Sequence, residues 1–311
     1  MRRIALCAVV LTLAGCSVKK YAINRLGDAL AGTGSTFSSD DDLELIRDAV
    51  PFSLKLIESL LAESPKHKGL LLAAASGFTQ YSYAFVQTDA DEIADRDPKA
   101  AQNLRDRAKR LYLRARNYGM RGLELKHPGF AAELKAAPEA AAAKLNKDDV
   151  PYAYWTAISW AAALVVSRDM FMIGQIPQFE ALIERSLLLD ETYNDGVIHS
   201  FLITYDMSRL RPKADSFDQT AAKSLEEKIA NATHHYARAL ELAKGSQAGL
   251  YVTYAESVMT AKKDRAGFEK LLNQALRVDV DKAPELRLLN LVMQRRARFL
   301  LARTEKLFPK P

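Results

Sequence analysis

Few residues in this chain have the type and spacing that bond-making chemistry needs. The five histidines are His67, His127, His199, His234 and His235. None stands four residues from another, the spacing that lets two imidazoles on one helix face share a metal, and His234 and His235 point about 100° apart on a helix. Gly32-Thr33-Gly34 lacks the Lys-Ser/Thr that turns a glycine-rich loop into a phosphate cradle, so it reads as a flexible lead-in. Glu256-Ser257 places a carboxyl on a predicted helix, and a carboxyl of raised pKa in a cleft can protonate a glycosidic oxygen. No accompanying motif follows from Val258 to Lys263, so Glu256 reads as an ordinary helix position. With no paired carboxylates, nucleophile–base set or metal set in view, neither a metal nor a cofactor is expected, and the chain does not read as an enzyme.

The one residue with clear chemistry is Cys16. Arg2-Arg3 and the apolar run Ile4 to Leu13 form a charged and then a hydrophobic region, too short to span a bilayer. The run ends in Leu13-Ala14-Gly15-Cys16, which resembles the lipobox of bacterial lipoproteins, where the cysteine thiol is acylated and becomes the new N-terminus. A plain secretory signal with an incidental cysteine is the alternative. Cys7 lies inside the segment to be removed, which leaves the mature chain no thiol for a disulfide. Two or three acyl chains on one cysteine suffice for stable anchoring. Ser17, rather than Asp, follows the cysteine and looks like an outer-membrane address. The expected organisation is a signal peptide over 1–15, a lipidated tether and lead-in over 16–37, and a single helical domain over 38–311.

The elements that must position everything else are helices. The composition is 49% hydrophobic and 26% charged, with only 14 glycines and 11 prolines in 311 residues, which disfavours both disorder and a turn-rich all-β chain. The net charge of +6 is spread against 38 acidic residues with no basic stripe apparent, so nucleic acid is not an expected partner. Ser38-Ser39 followed by Asp40, Asp41, Asp42 and Glu44 is an N-cap with acidic residues in the first turn. Leu43, Ile46, Val50, Leu54, Ile57 and Leu61 then form one apolar face, with Pro51 expected to kink or split it. Further helices are predicted over 70–86, 97–125, 130–145, 151–166, 178–189, 196–206, 219–243, 247–261, 264–278 and 284–307.

Repeats appear among these helices. Gly122-Leu-Glu-Leu125, Ser186-Leu-Leu-Leu189, Ala239-Leu-Glu-Leu242 and Ala275-Leu-Arg-Val278 share a small-Leu-x-(Leu/Val) ending. Ala232, Tyr236, Ala239, Leu240 and Leu242 have the spacing of the second helix of a tetratricopeptide hairpin. Only the last interval, 36 residues, approaches the 34-residue period, so the array is irregular. The stretch Tyr152 to Val166 is apolar on nearly every side. It reads either as a central core helix or, more sharply, as one wall of a hydrophobic channel lined by Tyr154, Trp155 and Trp160, with Phe171 nearby.

Several segments together carry a resemblance: Gly32-Thr-Gly-Ser-Thr-Phe-Ser-Ser-Asp-Asp-Asp42, Pro51-Phe-Ser-Leu-Lys-Leu-Ile-Glu58, Tyr112-Leu-Arg-Ala-Arg-Asn-Tyr-Gly-Met-Arg-Gly122, Asp149-Val-Pro-Tyr-Ala-Tyr-Trp-Thr-Ala-Ile-Ser-Trp160, Tyr251-Val-Thr-Tyr-Ala-Glu256 and Leu289-Asn-Leu-Val-Met-Gln-Arg-Arg-Ala297. Over nearly all of its mature length the chain resembles the TatT family, the lipoprotein T-components associated with TRAP (tripartite ATP-independent periplasmic) transporters. It departs at Ala161, where glycine is expected. The resemblance implies an all-α fold of irregular tetratricopeptide-like hairpins packed around a central pore or cleft. It also implies a homo-oligomer, a trimer, that docks a periplasmic solute-binding protein and handles a hydrophobic small molecule without chemistry. A generic tetratricopeptide-like scaffold of the envelope, with no ligand, is the alternative.

Overall fold

A computed structural model describes residues 24–32, 34–167, 170–208 and 225–309. Cys16 and the whole expected signal and acylation segment lie outside the described residues. Among those described, every regular element is helical, so the chain is all-α.

Short helices α1 (24–31) and α2 (Gly34–Ser38) lead into α3 (Leu43–Glu63). Asp42 caps α3, its Oδ1 accepting from the amides of Glu44 and Leu45 at 3.0 and 2.9 Å. Pro51 does not split the helix, which runs unbroken past it. The missing N–H costs one ladder bond, and the buried face of Ile46, Leu54, Ile57, Leu60 and Leu61 holds the element together.

Helix α4 (Lys68–Tyr81) is capped by His67 and continues through a wide π-turn over Ser82–Gln87 into α5 (Thr88–Ile93), so one helical run extends seven residues past the predicted Val86. Helix α6 (Pro98–Lys126) is followed by α7 (Phe130–Ala136) and α8 (Pro138–Ala142). The last two divide what the alanine-rich pattern predicts as one piece, because Pro138 has no N–H to carry the ladder through.

Helix α9 (Val150–Ser167) is the spine of the first half, packed against α4, α6 and α10 (Ile176–Leu189). With the preceding turn it is long and apolar enough to cross a bilayer by length and composition, yet most of its residues are buried in the protein. Its close approach to α6 depends on Ala115, Gly119 and Gly122, which leave room for Thr156 and Tyr152. The tyrosine hydroxyl then reaches the Lys68 carbonyl at 2.7 Å. At the junction the fully buried Asp149 meets Lys126 at 2.8 Å and His127 at 3.0 Å, and accepts from the Asn146 amide at 3.0 Å. Burial opposes its charge, but these partners outweigh it and hold the carboxyl below the usual carboxylate range.

Helices α11 (Val197–Met207), α12 (Leu225–Ala243), α13 (Ala248–Tyr254), α14 (Thr260–Lys262), α15 (Arg265–Leu276), α16 (Arg287–Ala302) and α17 (Thr304–Leu307) build the second half. A second π-turn, Ala255–Met259, joins α13 to α14. Two apolar cores result. One runs from Ile46 to Tyr205, the other from Ile203 to Leu300, and α11 serves both, with Leu202 and Tyr205 in the first and Ile203 in the second. Helix α16 packs on α13 and α15 and also touches α2 and α3, so the last long helix returns to the first.

Candidate functional site

The return of α16 to the N-terminal half creates a polar seam between the two cores. Two arginines of α16 cross it, and two amide side chains of the same helix anchor α16 to the second half. Asn290, fully buried, accepts from the Ala248 amide and donates to the Ser246 carbonyl, both at 2.9 Å, pinning the turn before α13. Gln294 donates to the carbonyls of Ala275 and Val278 at 3.2 and 2.9 Å and so closes the end of α15. Arg295 reaches across to Asp89 at 2.8 Å and Glu92 at 2.6 Å. Arg296 meets Asp91 at 3.0 Å and both oxygens of Glu256. The tail segment singled out in sequence is therefore a row of staples, tying α13, α15, α5 and Glu256 to α16.

The acidic partners lie on α5, which follows the first π-turn, and Glu256 lies in the second. The two turns are built alike. Each ends in a threonine whose amide and hydroxyl both donate to the carbonyl five residues back: Thr88 to Tyr83 and Thr260 to Ala255. Such turns widen a helix locally and recur at functional positions. Tyr83 of the first turn places its hydroxyl 3.6 Å from Met293 Sδ, near Arg296. Loss of water around that hydroxyl pushes its pKa up to about 12, with Arg296 opposing and Glu256 and Asp91 adding to the shift. Burial works against the charge of Arg296, but Glu256 outweighs it and holds the guanidinium above its ordinary value. Arg47 of α3 completes the network through Asp89, at 3.1 Å for one of two contacts.

Two hollows stand out among the described residues, the first beside these elements and the second away from them. One, of about 250 Å³, lies between α3, the first π-turn and α6, with Pro51, Phe85 and Leu104 as apolar wall and Arg47 and Arg107 at its rim. The other, of about 310 Å³, lies between α10, α11 and α12, with Ile183 and Leu202 against Glu180, Asp206, His234 and His235. Both are small and half open, at or below the lower end of the size range of small-molecule sites.

The predicted aromatic wall is placed elsewhere. Tyr154 is buried, edge-on to Trp155 and Tyr193 at 5.1 and 5.5 Å between ring centres. Trp160 is buried beneath Arg116 and donates to Gln175 at 2.8 Å. Phe171 is 92% exposed. The first three form the core spine, and none of the four lines either hollow. Glu256 is engaged by Arg296 rather than standing alone in a cleft.

One constellation was invisible in the sequence. His199 of α11 and His235 of α12, 36 residues apart, meet with Nδ1 atoms at 2.7 Å. His199 Nε2 lies 3.2 Å from Glu191, and His235 Nε2 lies 3.6 Å from Asp206. Local spacing could not reveal a pair made by tertiary packing. Tyrosine-rich runs ending in threonine were the available signal for the π-turns.

A family model described as TRAP transporter T-component matches residues 39–308. The chain is also 28% identical to an uncharacterized protein of Treponema pallidum (strain Nichols), in an alignment of 320 residues covering 97% of this chain and 95% of that protein.

Proposed function

The chain belongs to the TRAP transporter T-component family, which makes it an accessory of a TRAP-type uptake system, and from that membership we infer that it is a non-enzymatic envelope lipoprotein that docks the system's solute-binding protein and handles a hydrophobic small-molecule ligand. In this reading Cys16 carries the lipid and holds the protein on the periplasmic side of the outer membrane. The helical domain works as a homo-oligomer, a trimer. Irregular tetratricopeptide-like hairpins would pack around a central pore or cleft, with the two hollows as the places where a ligand could lodge. Tyr154, Trp155 and Trp160 would contribute by fixing the wall from behind.

The observation that carries the reading is the extent of the family match, which takes in α3 through α17 and with them the whole α16 staple. A packed aromatic spine and the modest size of both hollows favour a second reading, a docking scaffold with no resident ligand. Native mass spectrometry of protein extracted from membranes separates them. A retained small molecule and a co-purifying solute-binding protein are expected. Capture of the binding protein with no small molecule would leave the scaffold alone, and capture of neither would remove the docking role.

A further inference from the structure

The basic charge of this protein is not spread evenly, contrary to what the sequence suggested. Helix α6 holds nine basic and two acidic side chains, an excess larger than the +6 of the entire chain. Four of its arginines, Arg107, Arg110, Arg114 and Arg121, recur at intervals of three, four and seven residues. On a helix these positions fall within an arc of about 60°, a stripe about 21 Å long. All four are exposed, and they lie opposite the face through Ala108, Ala115, Gly119 and Gly122 that packs into the core.

Three of the four are held in place. Arg107 lies over the Tyr81 ring at 5.9 Å, Arg114 over Phe78 at 5.4 Å and Arg121 over Tyr118 at 5.2 Å. Arg114 is also 3.3 Å from Glu58, and Arg121 donates to the Pro65 carbonyl at 3.0 Å. A guanidinium stacked on a ring has already lost much of its rotamer freedom, so pairing it with a carboxylate costs less ordering.

We propose that the arginine stripe of α6 is the surface on which a partner protein docks through a row of carboxylates. This deepens the docking reading above and rests on it for the partner's class. Ring-backed arginines favour a protein partner over a bilayer. Attraction to anionic headgroups is non-directional and gains little from arginine over lysine, whereas the planar fork matches a carboxylate in two bonds. Arginine set among aromatic rings is also the composition of energetic centres at protein interfaces.

The test uses the full chain, immobilised, and the solute-binding protein of the same TRAP system at two salt concentrations. Wild type is expected to bind, more weakly as salt rises. Reversing all four arginines to glutamate is expected to weaken binding about tenfold or more, chiefly through slower association. Arg110→Glu alone breaks no hydrogen bond or ion pair among the described residues, so it keeps the fold intact, and a smaller loss of the same sign is expected from it. Unchanged binding by both variants would overturn the stripe while leaving docking in place. No binding by wild type would overturn docking and the stripe together. Loss of binding to phosphatidylglycerol vesicles, with the protein complex intact, would make the stripe a membrane contact. Dissociation of an oligomer, with the complex again intact, would make it a contact between copies of this chain. Either result overturns the proposal.

Discussion

Gly122 shows how much of the first core rests on one missing methyl group. A Cβ there would come within 2.1 Å of Tyr152 Cε1 and 2.2 Å of Cδ1. The ring cannot swing aside without giving up its bond to the Lys68 carbonyl at 2.7 Å. Gly122→Ala is therefore expected to destabilise the protein by about 3 kcal/mol, through overpacking and the strained or lost hydrogen bond together. Gly174→Ala, where a Cβ meets nothing within 4 Å, is the control and is expected to be near neutral. Denaturant midpoints of the two variants decide it, and equal midpoints would mean that α6 and α9 separate at little cost. Sequence already marked Gly122 as the small residue of a helix ending. It did not identify Tyr152 as the group needing the space, because that contact joins two helices.

At the scale of elements, the amphipathic pattern was enough to place most helices, since an apolar stripe at three- and four-residue steps has few other uses. It failed where a helix changes pitch without ending, as at Ser82–Gln87 and Ala255–Met259, because a π-turn needs no breaker residue. It could not see the pairing of α11 with α12 through His199 and His235. Burial holds the His199 imidazole below its ordinary value of 6.5, with Glu191 pulling the other way and His234 and Arg238 adding to the depression. Asp206 faces the far side of the pair. The unfolded chain takes up a proton near pH 6.5 that folded His199 refuses. Its contribution is thus complete above that pH and is lost as pH falls below it. A second N–H on His199 would also point at His235 across 2.7 Å. Urea midpoints are expected to drop between about pH 7.5 and 5.5 in wild type and to drop less in His199→Gln. Equal slopes would assign the acid sensitivity to other groups.

For the molecule as a whole, the decisive contacts join residues about two hundred positions apart, and no local pattern encodes them. Arg296 reaches Asp91, and Arg295 reaches Asp89 and Glu92, so two separate apolar cores are coupled by charge as well as through α11. Arg296 is largely withdrawn from water, with 14% of its side chain exposed, so removing a partner leaves a poorly solvated charge and costs about 3 kcal/mol. In Arg296→Glu, a carboxylate would face Asp91 and Glu256 together, and α16 would be pushed from the first half while still packed on α13 and α15. Calorimetry is expected to show one unfolding transition for wild type and two for this variant, the core of the second half melting separately. Exchanging the charges, with Arg296→Glu combined with Glu256→Arg, restores one attractive pair and is expected to bring the transitions back toward one. A single transition at the wild-type temperature in Arg296→Glu would show that the Arg296 bridge is dispensable, with the Arg295 pairs and α11 sufficient to couple the halves.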